Sequence, residues 1–165
     1  LRAATAAENL PAAMLDATLA VNESQPLLLV AWAHDALGSL EGKRVAILGL
    51  AFKPETDDVR EARATVVAHA LLEAGASVVG CDPQAAKNFS ALCDIEIAPS
   101  AEAALAGADC AILMTEWPEY AALPPAAFAE RMARPLLLDG RRAFDAAAMR
   151  NAGVEYRAIG LGGNE

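Results

Sequence analysis

Six short apolar runs recur through the chain, at Arg44–Leu48, Ser77–Cys81, Asp94–Ile97, Cys110–Met114, Pro135–Leu138 and Val154–Ala158. Most are continuous and not alternating, as strands are when a sheet is covered on both faces. Between them lie stretches of helical character: Ala62–Ala74, Gln84–Ala91, Ser100–Ala106, Pro125–Ala133 and Asp145–Ala152. Gly75, Gly107 and Gly153 each follow a helix and precede a strand, the position of a left-handed C-cap. This alternation predicts an α/β fold, a Rossmann-like doubly wound parallel sheet of about six strands. Right-handed crossovers then bring every strand's carboxyl end to one edge.

A different pattern precedes the first strand. Residues 1–41 read as helix, with Leu10, Met14, Leu15, Leu19 and Val21 on one side. Ser24-Gln25-Pro26 predicts a restart, with Ser24 as N-cap and Pro26 in the first turn. The following Leu27–Trp32 run is apolar nearly all round and needs partners on more than one side. It packs either on the rest of this chain or on another domain or subunit. The chain therefore divides near residue 42, a helical segment before it and the α/β domain, 42–165, after it.

The turn after the first strand carries the most chemistry. A Gly at a strand-to-helix turn is where such folds hold phosphates. In Gly49-Leu-Ala-Phe-Lys-Pro-Glu-Thr-Asp-Asp-Val-Arg-Glu, however, Ala51 and Pro54 stand where a dinucleotide loop places its second and third glycines. The turn offers Lys53 and Arg60 instead. Asp82, Thr115-Glu116-Trp117 and Asp139-Gly140-Arg141 follow later strands and fall on the same edge. Lys53 and Arg141 there point to an anionic ligand in a chain of net charge −9, with Gly140 turning the backbone to aim Arg141 outward. The plainer alternative pairs Arg141 with Asp139 or Asp145. At least one of Asp57 and Asp58 is expected to cap the following helix. Arg60 opposes that helix's dipole, which points to a ligand or to pairing with its acidic neighbours. Trp117 reads as packing.

Charge and composition exclude several classes. A balance of 13 basic against 22 acidic residues argues against nucleic acid and anionic membrane surfaces. No apolar run has the roughly 18 residues of a membrane span, and no signal peptide is visible. The first residue is Leu, so the chain reads as a fragment. Cys81, Cys93 and Cys110 contain no C-x-x-C pair and look like small core residues of a cytoplasmic protein.

Taken in order, these residues resemble a family. The Gly49–Glu61 segment is similar to the signature of the C-terminal domain of the UDP-glucose/GDP-mannose (nucleotide-sugar) 6-dehydrogenases. Asn22-Glu23, Gly75-Ala76, Cys81-Asp82-Pro83, Thr115-Glu116-Trp117, Asp139-Gly140-Arg141 and the ending from Gly153 to Gly160 extend the likeness. One departure is visible: the family usually continues Arg-Glu with Ser-Pro, where this chain has Ala62-Arg63. The resemblance implies oxidation of a nucleotide-linked sugar's C6 alcohol to a carboxylate in two NAD-dependent steps through a cysteine thioester. It also implies that most of the NAD site and the nucleophilic Cys lie outside this chain, which alone is expected to be inactive. Lys53 and the backbone at Phe52 would contact the substrate's diphosphate, Arg141 likewise, and Arg60 would reach the NAD pyrophosphate. Residues 1–41 would end a central dimerisation region. The rivals are a stand-alone NAD-binding domain, disfavoured by the missing glycines, and a non-catalytic oligomerisation or regulatory module.

Overall fold

The computed structural model describes Thr5, Glu8 and residues 11–161. The expected place of Leu10 on a helix lies outside those residues. Six strands form one sheet: β1 (Arg44–Leu48), β2 (Ser77–Cys81), β3 (Glu96–Ile97), β4 (Cys110–Leu113), β5 (Leu136–Asp139) and β6 (Glu155–Ala158). Their order is β3-β2-β1-β4-β5-β6, with every neighbouring pair parallel. This is the doubly wound arrangement expected, with the order reversing between β1 and β4. Register sets the strand ends level: Leu48 stands beside Cys81 and Leu113, and Leu113 beside Asp139. Gly49, Asp82, Met114 and Gly140 therefore leave the sheet together.

The central strands of the sheet are apolar on both faces and buried. Val45 to Leu48, Cys110 to Leu113 and Leu136 to Leu138 are all buried. Helices α2 (Arg63–Glu73), α3 (Ala86–Ser90), α4 (Ala101–Leu105), α5 (Pro118–Ala121), α6 (Pro125–Arg131) and α7 (Ala146–Asn151) cover it. Helix α2 buries Ala64, Val67, Ala68 and Leu71, an i, i+3, i+4, i+7 stripe. Phe128 of α6 meets Phe144 edge to face, centroids 5.4 Å apart. Gly75, Gly107 and Gly153 have φ of 82°, 69° and 84°, the left-handed C-cap conformation anticipated.

Helix α1 (Ala13–Leu37) corrects one expectation. It is a single helix of 25 residues that runs through Pro26, and Ser24 does not restart it. The Ser24 hydroxyl instead donates to the Val21 carbonyl (3.2 Å). Pro26 has no N–H to offer the Asn22 carbonyl, so the ladder loses that rung, and burial of Pro26 itself holds the helix together there. The second half of α1 packs on α2 and β5 through Leu29 and Ala33. Its first half leaves Met14 (86%) and Val21 (53%) exposed. Among the described residues no helix is long and apolar enough to cross a membrane.

Candidate functional site

Two buried aspartates build the carboxyl edge. Asp82, just past β2, accepts five hydrogen bonds: Oδ2 from the N–H of Leu50 (2.7 Å), the N–H of Ala51 (3.0 Å) and the Trp117 indole (3.0 Å), Oδ1 from the N–H groups of Gln84 and Ala85. Asp139, the last residue of β5, does the same for the next loop. It accepts from the N–H groups of Arg141, Arg142, Ala143 and Phe144 and from the Tyr156 hydroxyl. A buried carboxylate is tolerated only when its lone pairs are so filled. Burial and the Asp139 carboxylate both push the Tyr156 hydroxyl pKa upward, so it stays a donor.

The turn after β1 is consequently closed to outside anions. Gly49 N–H donates to the Cys81 carbonyl, and Phe52 N–H to the Asp58 carbonyl (2.8 Å). With Leu50 and Ala51 held by Asp82, four successive amides are spent inside the protein. Thr115 completes the closure by donating its hydroxyl to the Ala51 carbonyl (2.6 Å). Gly49 is required here twice over: its φ is +88°, and a Cβ would stand 2.5 Å from the Thr115 Cβ. A dinucleotide pyrophosphate needs such amides free, so the β1 turn does not fit NAD.

The side chains of this edge are placed as follows. Phe52 is exposed (49%), and because its N–H is engaged it offers a ring and a carbonyl, not an amide. Lys53 is exposed and makes no hydrogen bond or ion pair among the described residues. Arg60 lines an open cleft with Phe52, Asp58 and Glu61. It forks onto Asp58, Nε to Oδ1 at 3.0 Å and Nη2 to Oδ2 at 2.8 Å. The Arg60 guanidinium lowers the Asp58 carboxyl pKa to about 2. Neither Asp57 nor Asp58 caps α2, contrary to expectation. Asp57 accepts from the Asn88 amide, Asp58 forms a turn with Arg60, and the N-cap is Ala62 with no side-chain cap. Glu55 and Glu61 hold left-handed φ of 62° and 56°, strain of about 1–3 kcal/mol each that the loop must offset.

Arg141 pairs with neither Asp139 nor Asp145 through its side chain. Its Nε donates to the Met114 carbonyl (2.6 Å) and lies 3.2 Å from Glu116 Oε2. Neither Nη donates a hydrogen bond within the described residues. Gly140 serves by its bareness and not by a special turn: a Cβ would stand 2.8 Å from the Leu113 carbonyl oxygen, while its φ is not positive. Trp117 is buried, as packing predicts, but also donates to Asp82. Beside Arg141 opens a cavity of about 200 Å³ lined by Asn22, Gln25 and Pro26 of α1, by Met114, and by Arg63. Lys53 is not among its lining residues; the second cation that lines it is Arg63. Sequence reasoning missed that role, registering Arg63 only as a departure from the usual Ser-Pro; its cation at the start of a helix was the available signal. The three cysteines are buried, and burial raises the pKa of each thiol, which suits core packing and not nucleophilic attack.

The sequence model for the "UDP-glucose/GDP-mannose dehydrogenase family, UDP binding domain" matches residues 46–146. The chain belongs to this family. Within it, the chain is similar to UDP-glucose 6-dehydrogenase AglM of Haloferax volcanii, 42% identical over 158 residues, covering 95% of this chain and 35% of that protein. UDP-glucose 6-dehydrogenase YwqF of Bacillus subtilis is 36% identical over 149 residues, covering 89% and 34%. Among solved structures, a UDP-glucose dehydrogenase of the hyperthermophilic archaeon Pyrobaculum islandicum superposes with a TM-score of 0.79 at 34% identity, covering 94% of this chain and 34% of that one. The chain thus spans about a third of the length of these relatives, and is a UDP-binding, C-terminal-type domain of the nucleotide-sugar dehydrogenases.

Proposed function

We propose that this chain is the nucleotide-sugar-binding part of an NAD-dependent nucleotide-sugar 6-dehydrogenase, with UDP-glucose as the substrate favoured by its relatives. The reaction is oxidation of the C6 alcohol to a uronate by two hydride transfers, NAD supplying the hydride acceptor when bound. The nucleophilic cysteine and the cofactor pocket belong to a part outside this chain, consistent with the filled β1 turn and the inert thiols. The observation that carries the reading is that every donor of that turn's backbone from Gly49 to Phe52 is occupied internally, whereas the cations beside it are not all neutralised. Anion capture on this edge therefore falls to side chains.

In this reading Lys53 and Arg141 neutralise the substrate diphosphate while the Phe52 ring flanks it. Arg60 is directed to the NAD pyrophosphate from outside the cofactor pocket and must share its charge with Asp58. Residues 42–165 form the binding domain. Residues 1–41 end a dimerising helical region, for which the exposed Met14, Val21 and Leu27 are the support. Sizing the chain with and without residues 1–21 tests that assignment; a monomer in both would remove it.

Calorimetric titration of UDP and, separately, NAD into the chain tests the main reading. UDP binding with a silent NAD titration is expected. Micromolar NAD binding with no response to UDP would instead favour a stand-alone dinucleotide domain.

A further inference from the structure

We propose that Arg63 is a second anion-gripping residue of the Arg141 cavity, and that the pair takes the diphosphate of the nucleotide ligand. The inference rests on the reading above and assigns a residue that reading does not contain. Three observations carry it. First, Arg63 and Arg141 line one cavity of about 200 Å³, several times the roughly 30 Å³ share of a water molecule and so roomy enough for a group of several heavy atoms. Second, Arg63 is half-buried and makes no hydrogen bond or ion pair among the described residues, although the chain holds 22 acidic residues against 13 basic ones. A solvated cation would be unremarkable, but two cations lining one cavity favour an anion between them. Third, Arg141 is already steered. Its Nε is fixed by the Met114 carbonyl and by Glu116, which leaves the Nη donors for something else.

The surrounding groups agree in chemistry. Asn22 and Gln25 bring amides from α1, and no carboxylate is among the lining residues. The cavity exists because the second half of α1 packs on α2, so the helical segment forms one wall. A dianionic diphosphate meeting two guanidinia gains paired charge-assisted hydrogen bonds, the geometry in which Arg outperforms Lys.

The test is calorimetry on the 165-residue chain with UDP, inorganic pyrophosphate and uridine as probes, comparing wild type, Arg63→Gln, Arg63→Lys and the remote control Lys87→Gln. Arg63→Gln is expected to weaken UDP and pyrophosphate by about tenfold or more and to flatten the salt dependence. Uridine should be unaffected, Arg63→Lys should recover part of the loss, and Lys87→Gln should change nothing. Unchanged UDP affinity in Arg63→Gln overturns the inference while the nucleotide-sugar reading stands. Arg63-dependent pyrophosphate binding without UDP binding upholds the anion site and sinks the nucleotide reading. Binding of neither probe by wild type overturns the inference, as does a loss in both Arg63 variants that follows a fallen unfolding temperature.

Discussion

The Trp117 indole N–H donates to Asp82 Oδ2 at 3.0 Å, tying the loop after β4 to the end of β2 across the top of β1. The same oxygen holds the Leu50 and Ala51 amides, so one carboxylate fixes three segments. Asp82→Asn turns an acceptor into a donor facing donors. We expect a loss of about 3 kcal/mol of stability, which lowers the unfolding temperature by about 6–12 °C for a domain this size. Thermal unfolding followed by tryptophan fluorescence measures it, and an unchanged midpoint would remove Asp82 as the organiser of this edge.

In the proposed function, Glu116 competes with the ligand for Arg141. The pair is well exposed, at 35% and 47%, so its strength is in the range of about 0.2–1 kcal/mol. Glu116→Gln is expected to raise UDP affinity by up to about fivefold. Weaker binding in that variant would show that Glu116 orients Arg141 and does not restrain it.

Asp58 offers a pH readout. Its folded-state pKa is depressed to about 2 from 3.8 by Arg60, so its contribution to stability is present above about pH 4 and is lost as pH falls toward 2. Arg60 is exposed and Asp58 about a third exposed, so the effect on stability is small. Carboxyl chemical shifts should titrate near 2 in the wild type and return toward 3.8 in Arg60→Gln. A titration near 3.8 in both would mean the fork between them does not persist in solution.

Gly49→Ala should be severely destabilising. The backbone would adopt an unfavoured φ of +88° and the new methyl would collide with Thr115. Left-handed strain and overpacking together give about 2–5 kcal/mol, measurable by urea denaturation. A loss below about 1 kcal/mol would show that the turn relaxes.

The fold was largely legible because continuous apolar runs and helix-ending glycines are local signals. β1 and β2 fall where those runs do, and Gly75, Gly107 and Gly153 are left-handed. Local rules failed where distant packing decided. Pro26 reads as a helix start, yet burial against the domain carries α1 through it. Asp57 and Asp58 read as caps, but Asn88 and Arg60 claim them. β3 begins later than its apolar run, because Ile95 N–H turns back onto the Cys93 carbonyl and only Val79 and Gly80 pair with the strand. Four-residue α5 went unseen, since Pro118 and Glu119 alone announce it. At the site, Lys53, Arg60 and Arg141 were visible as charges out of balance with an acidic chain. Arg63 was not, because the cavity it lines exists only once α1 is laid against α2.

Asp82 keeps the seat of a phosphate permanently taken by the protein's own oxygen atoms. Under the proposed function, recognition on this rim falls to side chains, which single-codon changes can exchange without disturbing the scaffold. A glycine-rich loop has no comparable latitude: its grip is its backbone, and altering one means rebuilding the other.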